Sequence, residues 1–375
     1  MYNKHTPHTP TFALCLLCAL APINLHAKSN GAGQSYQLYG TLDSGISHTR
    51  ISSATQGTSR HTELHTSGHD DTLWGLRGRE AFQGGAHIQF TLEAGFDSDT
   101  GAGSGFTLQS WLGIGHDRLG ALRLGRQASS GQDFCADLAI GNWLDFGIDA
   151  LLRASDNMST ATHIRWQSPD WQGWQAGISY SPKSSAEGDS ARTRSAAVRY
   201  ENNAWLLAAT VEQGLHRAGN APPEHSRLRP TAWHIGARHE GESMHVAATW
   251  GEMKNGFVSR NGGGMEGDAA LAGLGPLEFI QGGRLRALYG AIALPAGQGE
   301  WQVQGAWARP RWQWQDSGTA AQRIRVLSLG YLYHLSKRTR LYTFAATGSR
   351  YDMDNVASPD NPRSRRVALG LVHHF

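Results

Sequence analysis

Most of this chain alternates. Every second residue tends to be apolar or small and its neighbours polar, which is the period of a half-buried β-strand. The closing segment shows it best: Val367, Leu369, Leu371, His373 and Phe375 share one face, and Ala368, Gly370, Val372 and His374 the other. The same period predicts strands at 34–47, 71–79, 86–96, 106–115, 119–127, 159–167, 173–181 and 192–201. It continues at 205–213, 231–239, 243–253, 284–294, 300–311, 322–334 (entered from 312–321), 340–347 and 365–375. Tight turns such as Gly84-Gly85, Asp117-Arg118 and Asn202-Asn203 take turns with long polar stretches at 52–70, 214–229, 254–283 and 348–364. A soluble sandwich has no reason to sort its connections by length. The sorting predicts an all-β fold, a sixteen-stranded antiparallel transmembrane β-barrel with its short turns on the periplasmic side. An even count lets the last strand close on the first and leaves no exposed edge.

One stretch breaks the period. Between Ala121-Leu122-Arg123-Leu124-Gly125 and Thr160–Gln167, nothing alternates from Gln127 to Asn157, and that stretch carries Asp133, Asp137, Asp145, Asp149 and Asp156. A structureless loop that long inside a compact domain is functional or a misread element. It reads as an acidic loop, about residues 128–157, placed to narrow a channel. On the flanking strands, Arg77, Arg79, Arg123 and Arg165 fall opposite the apolar face. In a barrel that parity meets water, whereas a charge on the lipid face at mid-depth costs ~2–4 kcal/mol.

Composition supports the same class. Tryptophan (13) and glycine (46) are frequent, yet mean hydropathy is −0.43. Beyond the N-terminus no apolar run approaches the roughly 18–20 residues a spanning helix needs. Net charge is +3 with the signs mixed along the chain, and no compact basic block points to nucleic acid. The first residues read as a processing signal: Lys4 and His5, an apolar core from Phe12 to Leu20, Pro22, and a cleavage site after Ala27. The domains are thus 1–27, signal peptide, and 28–375, barrel. Removal of the signal leaves Cys135 as the single cysteine, so no internal disulfide is expected.

Catalytic signatures are missing from the sequence. Neither His-Glu-x-x-His nor Gly-x-Ser-x-Gly occurs, and Gly101-Ala102-Gly103-Ser104-Gly105 opens no helix. His373 and His374 point to opposite faces of one strand, so they form no metal site. Trp171, Trp174, Trp301, Trp307, Trp312 and Trp314 read as girdle or lipid-face residues. The expectation is a channel and not an enzyme, with no cofactor and no metal. Two alternatives stay open: a substrate-selective channel with Phe134, Trp143 and Phe146 as a binding track, and a surface barrel acting mainly as adhesin or antigen.

Short motifs in order along the chain carry a resemblance. They are Tyr39-Gly40-Thr41-Leu42-Asp43, Trp74-Gly75-Leu76-Arg77-Gly78 with Glu80 and Gly84-Gly85, Leu92–Phe96, Leu124-Gly125-Arg126-Gln127, His163–Gly173, Leu335–Thr339 and the terminal Phe375. Together they resemble the general diffusion porins of β-proteobacteria and Neisseria. The resemblance implies three barrels per assembly in the bacterial outer membrane, among lipid and lipopolysaccharide, passing small hydrophilic solutes and ions. It implies a third outer loop folded inward against a ladder of basic wall residues. Arg77 matches the family's basic wall position, and Arg126 and Arg153 flank the loop near the eyelet. Asp133, Asp137, Asp145 and Asp149 would stand across from them, and Phe375 would be the barrel-insertion signal. The departures are Cys135 in the loop, abundant histidine and sparse lysine.

Overall fold

The computed structural model describes residues 34–103, 105–141, 143, 146–148, 151–152, 162–182, 193–214, 229–255, 277–351 and 360–375. The proposed signal peptide, and with it the cleavage site, lies outside the described residues. The strands are β1 (Gln34–Ser53), β2 (Gly57–Thr66), β3 (Leu73–Ala81), β4 (Ala86–Gly95), β5 (Gln109–His116), β6 (Gly120–Arg126), β7 (Thr162–Gln167) and β8 (Trp174–Ser181). They continue with β9 (Thr193–Glu201), β10 (Trp205–Gly214), β11 (Thr231–Glu240), β12 (His245–Lys254) and β13 (Arg284–Ala296). The last are β14 (Gly299–Arg311), β15 (Ile324–His334), β16 (Thr339–Ser349) and β17 (Arg363–His374). Two short helices, α1 (Ser130–Ala136) and α2 (Leu277–Ile280), lie in the connections.

Apart from β2 and β3, which do not pair with each other, each strand pairs antiparallel with its chain neighbour, and β17 returns to β1 with Thr41 opposite His374 and Ser52 opposite Arg363. The sheet is therefore a closed barrel. β2 and β3 both pair with β1, along its two halves, and together form one barrel strand interrupted at 67–72. The barrel is sixteen-stranded on that count. The stretch 52–70, expected to be a polar loop, is instead mostly the outer part of the first hairpin. Its side chains are polar because both faces of that hairpin are largely exposed along β2. Likewise 312–321 is a loop closed by a single bridge between Gln313 and Ala320, and not the start of a strand.

Alternation sets the two faces. Outward-facing Leu38, Ile46, Leu112, Ile114, Leu327 and Leu369 are exposed, as a lipid-facing wall requires, whereas inward Asp43, Ser47, Thr49 and Arg165 are buried. The girdle expectation divides: Trp171, Trp174, Trp301 and Trp307 are exposed, but Trp314 is buried and Trp312 stacks on Phe279 of α2 at 5.0 Å. Those two belong to the loop that α2 covers. Phe375 exchanges backbone hydrogen bonds with Gly40 (3.0 and 3.3 Å), pinning the last residue to the first strand.

Candidate functional site

The acidic stretch after β6 does fold into the lumen, and the described part is packed there. Ser129 caps α1, accepting from the Gln132 N–H at 3.1 Å, and its hydroxyl also bonds the buried Glu212 of β10. The next two N–H groups donate to wall hydroxyls: Ser130 to Ser179 Oγ (3.1 Å) and Gly131 to Ser195 Oγ (2.7 Å). Three strands thus receive the first turn of the helix, so its orphan donors are satisfied by the wall rather than by water.

Beyond α1 the loop presents large apolar residues to a wall of small ones. Leu138, Ile140, Trp143, Phe146 and Ile148 are buried among Ala232, Ala247, Ala306, Val326 and Phe344, and Phe134 of α1 is buried as well. The Tyr289 hydroxyl lies 3.0 Å from both the backbone N and O of Ile140. Burial of Phe134, Trp143 and Phe146 removes them as an aromatic binding track, correcting that alternative: their rings hold the loop down and do not face the pore. Cys135 faces the wall too, its sulfur 3.6 Å from Thr210 Oγ1.

A second inward element was not foreseen. The break at 67–72 turns into the lumen, with Ser67 in the left-handed region (φ 59°). Asp43, the last residue of the opening motif, organises it: its Oδ2 accepts from the His69 and Asp70 N–H groups at 2.6 and 2.7 Å, and Oδ1 from the Tyr342 hydroxyl at 2.7 Å. His69 meets the Trp143 indole edge-on at 4.8 Å, so this element touches the loop. Asp70 pairs with Arg340, His69 Nδ1 (2.6 Å) and His374 Nε2 (3.1 Å). Burial pushes the Asp70 carboxyl up, but His69, Arg340 and His374 outweigh it and bring it down to about 2. Beneath loop and bulge lies a polar cavity of about 490 Å³, lined by Asp70, Asp137, Arg238, Glu240, Glu300 and Arg340 among others.

Charge on the wall is arranged in a row. Arg123 and Arg165 are cross-strand neighbours, and Arg165, almost wholly buried, pairs with Asp133 of α1. Burial works against the Asp133 charge, yet Arg165 and Arg123 hold its carboxyl below the usual range. Asp137 accepts from Arg199 at 3.0 Å, and Arg238 donates to the Asp137 carbonyl at 3.0 Å. Arg123 lies over Trp111 (4.6 Å) and Arg77 over Tyr39 (5.1 Å), with Arg77 also donating to Gln37 at 2.6 Å. Among the described residues, no carboxylate lies within ion-pair distance of either.

The remaining expected residues are placed elsewhere. Arg79 is inward but sits at the short-turn rim, 3.7 Å from Asp117. Arg126 has the outward parity of Leu122 and Leu124, and its guanidinium reaches the Thr107 carbonyl. Asp145, Asp149 and Arg153 lie outside the described residues. Arg199, Arg238 and Arg340 were missed, although each alternates with outward neighbours (Val198 and Tyr200, Ala237 and His239, Leu341) as Arg123 does. The parity rule applied to every strand would have found them.

A closed barrel with an inward loop against a basic wall is the arrangement of a channel, and the sequence comparison agrees: residues 13–352 match the model of the Gram-negative porin. The chain belongs to the Gram-negative porin family. An outer membrane porin protein of Bordetella pertussis is 26% identical over 400 residues, covering 96% of this chain and 99% of the relative. Outer membrane porin protein 32 of Delftia acidovorans is 25% identical over 325 residues, covering 83% of each. Among solved structures, an anion-selective porin from Comamonas acidovorans aligns with a TM-score of 0.71 and 20% identity, covering 92% of this chain and all (100%) of that one. Salmonella typhi OmpF aligns at 0.63 with 12% identity, covering 92% and 98%. This porin resides in the bacterial outer membrane and forms a passive, water-filled channel for small hydrophilic solutes and ions.

Proposed function

We propose that the channel prefers anions, and that the eyelet is set between the arginine wall and the inward loop. One observation carries this: the two described loop acids, Asp133 and Asp137, are taken up by Arg165 and Arg199, while Arg77 and Arg123 have no carboxylate within ion-pair distance among the described residues, Asp133 acting on Arg123 only from farther off. A rim with more guanidinium groups than carboxylates favours anions, as charged rings do in other channels. The anion-selective porin from Comamonas acidovorans, similar in fold, is consistent with the reading. Asp145, Asp149 and Arg153 belong to the same proposed eyelet, and Phe375 serves barrel insertion. Three copies assemble in the membrane, with lipopolysaccharide around them, and no bond is made or broken in transport.

Reversal potentials across a planar bilayer under a salt gradient test it. Wild type should favour anions, and Arg77→Ala and Arg123→Ala should each move the potential toward cations. Cation preference in the wild type overturns the reading. A potential unmoved by Arg77→Ala places that side chain outside the eyelet.

A further inference from the structure

The outer wall carries a charged surface that the pore does not use. At the long-loop ends of β12 to β15, Lys254, Arg284, Arg286, Arg309, Arg311 and Arg325 have the parity of the exposed Trp250, Leu288, Trp307 and Leu327, and so point away from the lumen. Their register sets like against like. Arg284 stands opposite Arg311 and Arg286 opposite Arg309 across one ladder, and Lys254 stands opposite Arg284 across the next. Like charges directly opposed on neighbouring strands are destabilising. Among the described residues of these strand ends one acid answers them: Glu252, 2.6 Å from Arg286 Nε and 3.0 Å from Lys254 Nζ. Six cations held together against a single acid call for a polyanion.

An apolar groove begins directly below. It encloses about 520 Å³, floored by Ala209, Ala237 and Ala248 and walled by Trp174, Ile235, Trp250 and Leu288. Gly290, opposite Ala248, widens it, because a β-carbon there would meet nothing within 4 Å. Trp250 and Leu288 face each other two residues below the Glu252–Arg286 pair, a step of roughly 7 Å along a strand.

We propose that this face binds the phosphorylated glycolipid of the outer leaflet, lipopolysaccharide, with its phosphates on the arginines and an acyl chain in the groove. The inference rests on the outer-membrane placement and assigns a place on the chain to the lipid partner. Charge complementarity argues for it: guanidinium groups take phosphate through paired hydrogen bonds, and phosphate is the acidic group found at the boundary between hydrocarbon and water. The order along the wall fits as well, with cations above and a chain-shaped apolar recess beneath.

The test uses the folded full-length porin in detergent, mixed with purified lipopolysaccharide or with the same lipid after its phosphates are removed, and bound lipid read by native mass spectrometry. The R284Q/R286Q/R309Q/R311Q variant should bind intact lipid at least about tenfold more weakly, given what charge-assisted hydrogen bonds contribute. Wild type should bind the dephosphorylated lipid as weakly as that. Ala248→Leu, which fills the groove and leaves the arginines, should weaken binding to a lesser degree. Glu252→Gln should strengthen it. Equal binding of both lipids by wild type, or undiminished binding by the arginine variant, overturns the proposal. So does dissociation of an oligomer by Ala248→Leu with lipid binding intact, since the groove would then be an interface between copies. Single-channel conductance of the variants should match wild type, which separates loss of the lipid site from failure of the barrel or of the pore reading.

Discussion

Trp143 occupies space that Gly330 leaves open: a β-carbon on Gly330 would lie 2.4 Å from the indole Cζ2. The relationship repeats along the loop. A β-carbon on Gly236 would come within 2.6 Å of Leu138 Cδ1, and one on Gly177 within 3.2 Å of Phe134 Cζ. Wall glycines thus act as sockets for loop side chains, and the loop is a packed layer of the lumen rather than a flap hinged at its ends.

Gly330→Val should therefore unseat Trp143. Overpacking of this kind costs typically about 1–3 kcal/mol. The expected outcome is a loop lifted from the wall, a larger single-channel conductance and a lower unfolding temperature. Wild-type conductance in a folded Gly330→Val channel would show that Trp143 does not control the aperture.

The same packing shields Cys135, which is 1% exposed between α1 and β10. Thiol-reactive maleimide should leave the folded wild type unmodified and should label Gly330→Val under the same conditions. Labelling of both proteins at one rate would mean that the loop opens spontaneously without the substitution.

The barrel was legible in the sequence because a single rule, alternation, decides each strand independently of the others. Arg77, Arg123 and Arg165 were found that way, and their inward placement follows from their neighbours Leu76, Leu122 and Ile164. The loop defeated the same reasoning. Its aspartates looked like a free acidic rim, but whether Asp133 meets water or Arg165 depends on where α1 docks, and docking is decided by Ser179, Ser195 and Glu212 on distant strands. The inward bulge was hidden for a similar reason: Asp43 gives no local sign that it will gather the backbone of His69 and Asp70.

That bulge has a defined acid limit. The Asp70 carboxyl is lowered when folded, so its contribution to stability is fully present above the ordinary carboxylate range and disappears as pH falls through about 2. The shift corresponds to about 2 kcal/mol. The thermal stability difference between wild type and Asp70→Asn should stay constant from neutral pH down to about 5 and then shrink below about 4. A difference that persists undiminished down to about pH 3 would show that the Asp70 charge does not supply it.

The ion pair between Asp133 and Arg165 makes opposite predictions for its two halves. Asp133→Asn leaves the Arg165 guanidinium without its carboxylate, next to Arg123, so the lumen gains positive charge and anion preference should rise. Arg165→Gln leaves Asp133 with only the more distant Arg123 and Arg199, so the preference should fall. The double variant removes one charge of each sign and should return the reversal potential close to wild type. Stability should follow a different order: Arg165 is the more buried partner, 1% exposed against 39% for Asp133. Stranding a buried charge costs up to about 3–5 kcal/mol, while removing both charges costs much less. Asp133→Asn should consequently be the least stable of the three, and a double-mutant cycle should give a coupling of at least about 1 kcal/mol. Additive effects on both potential and stability would mean that the two side chains do not act as a pair in the membrane.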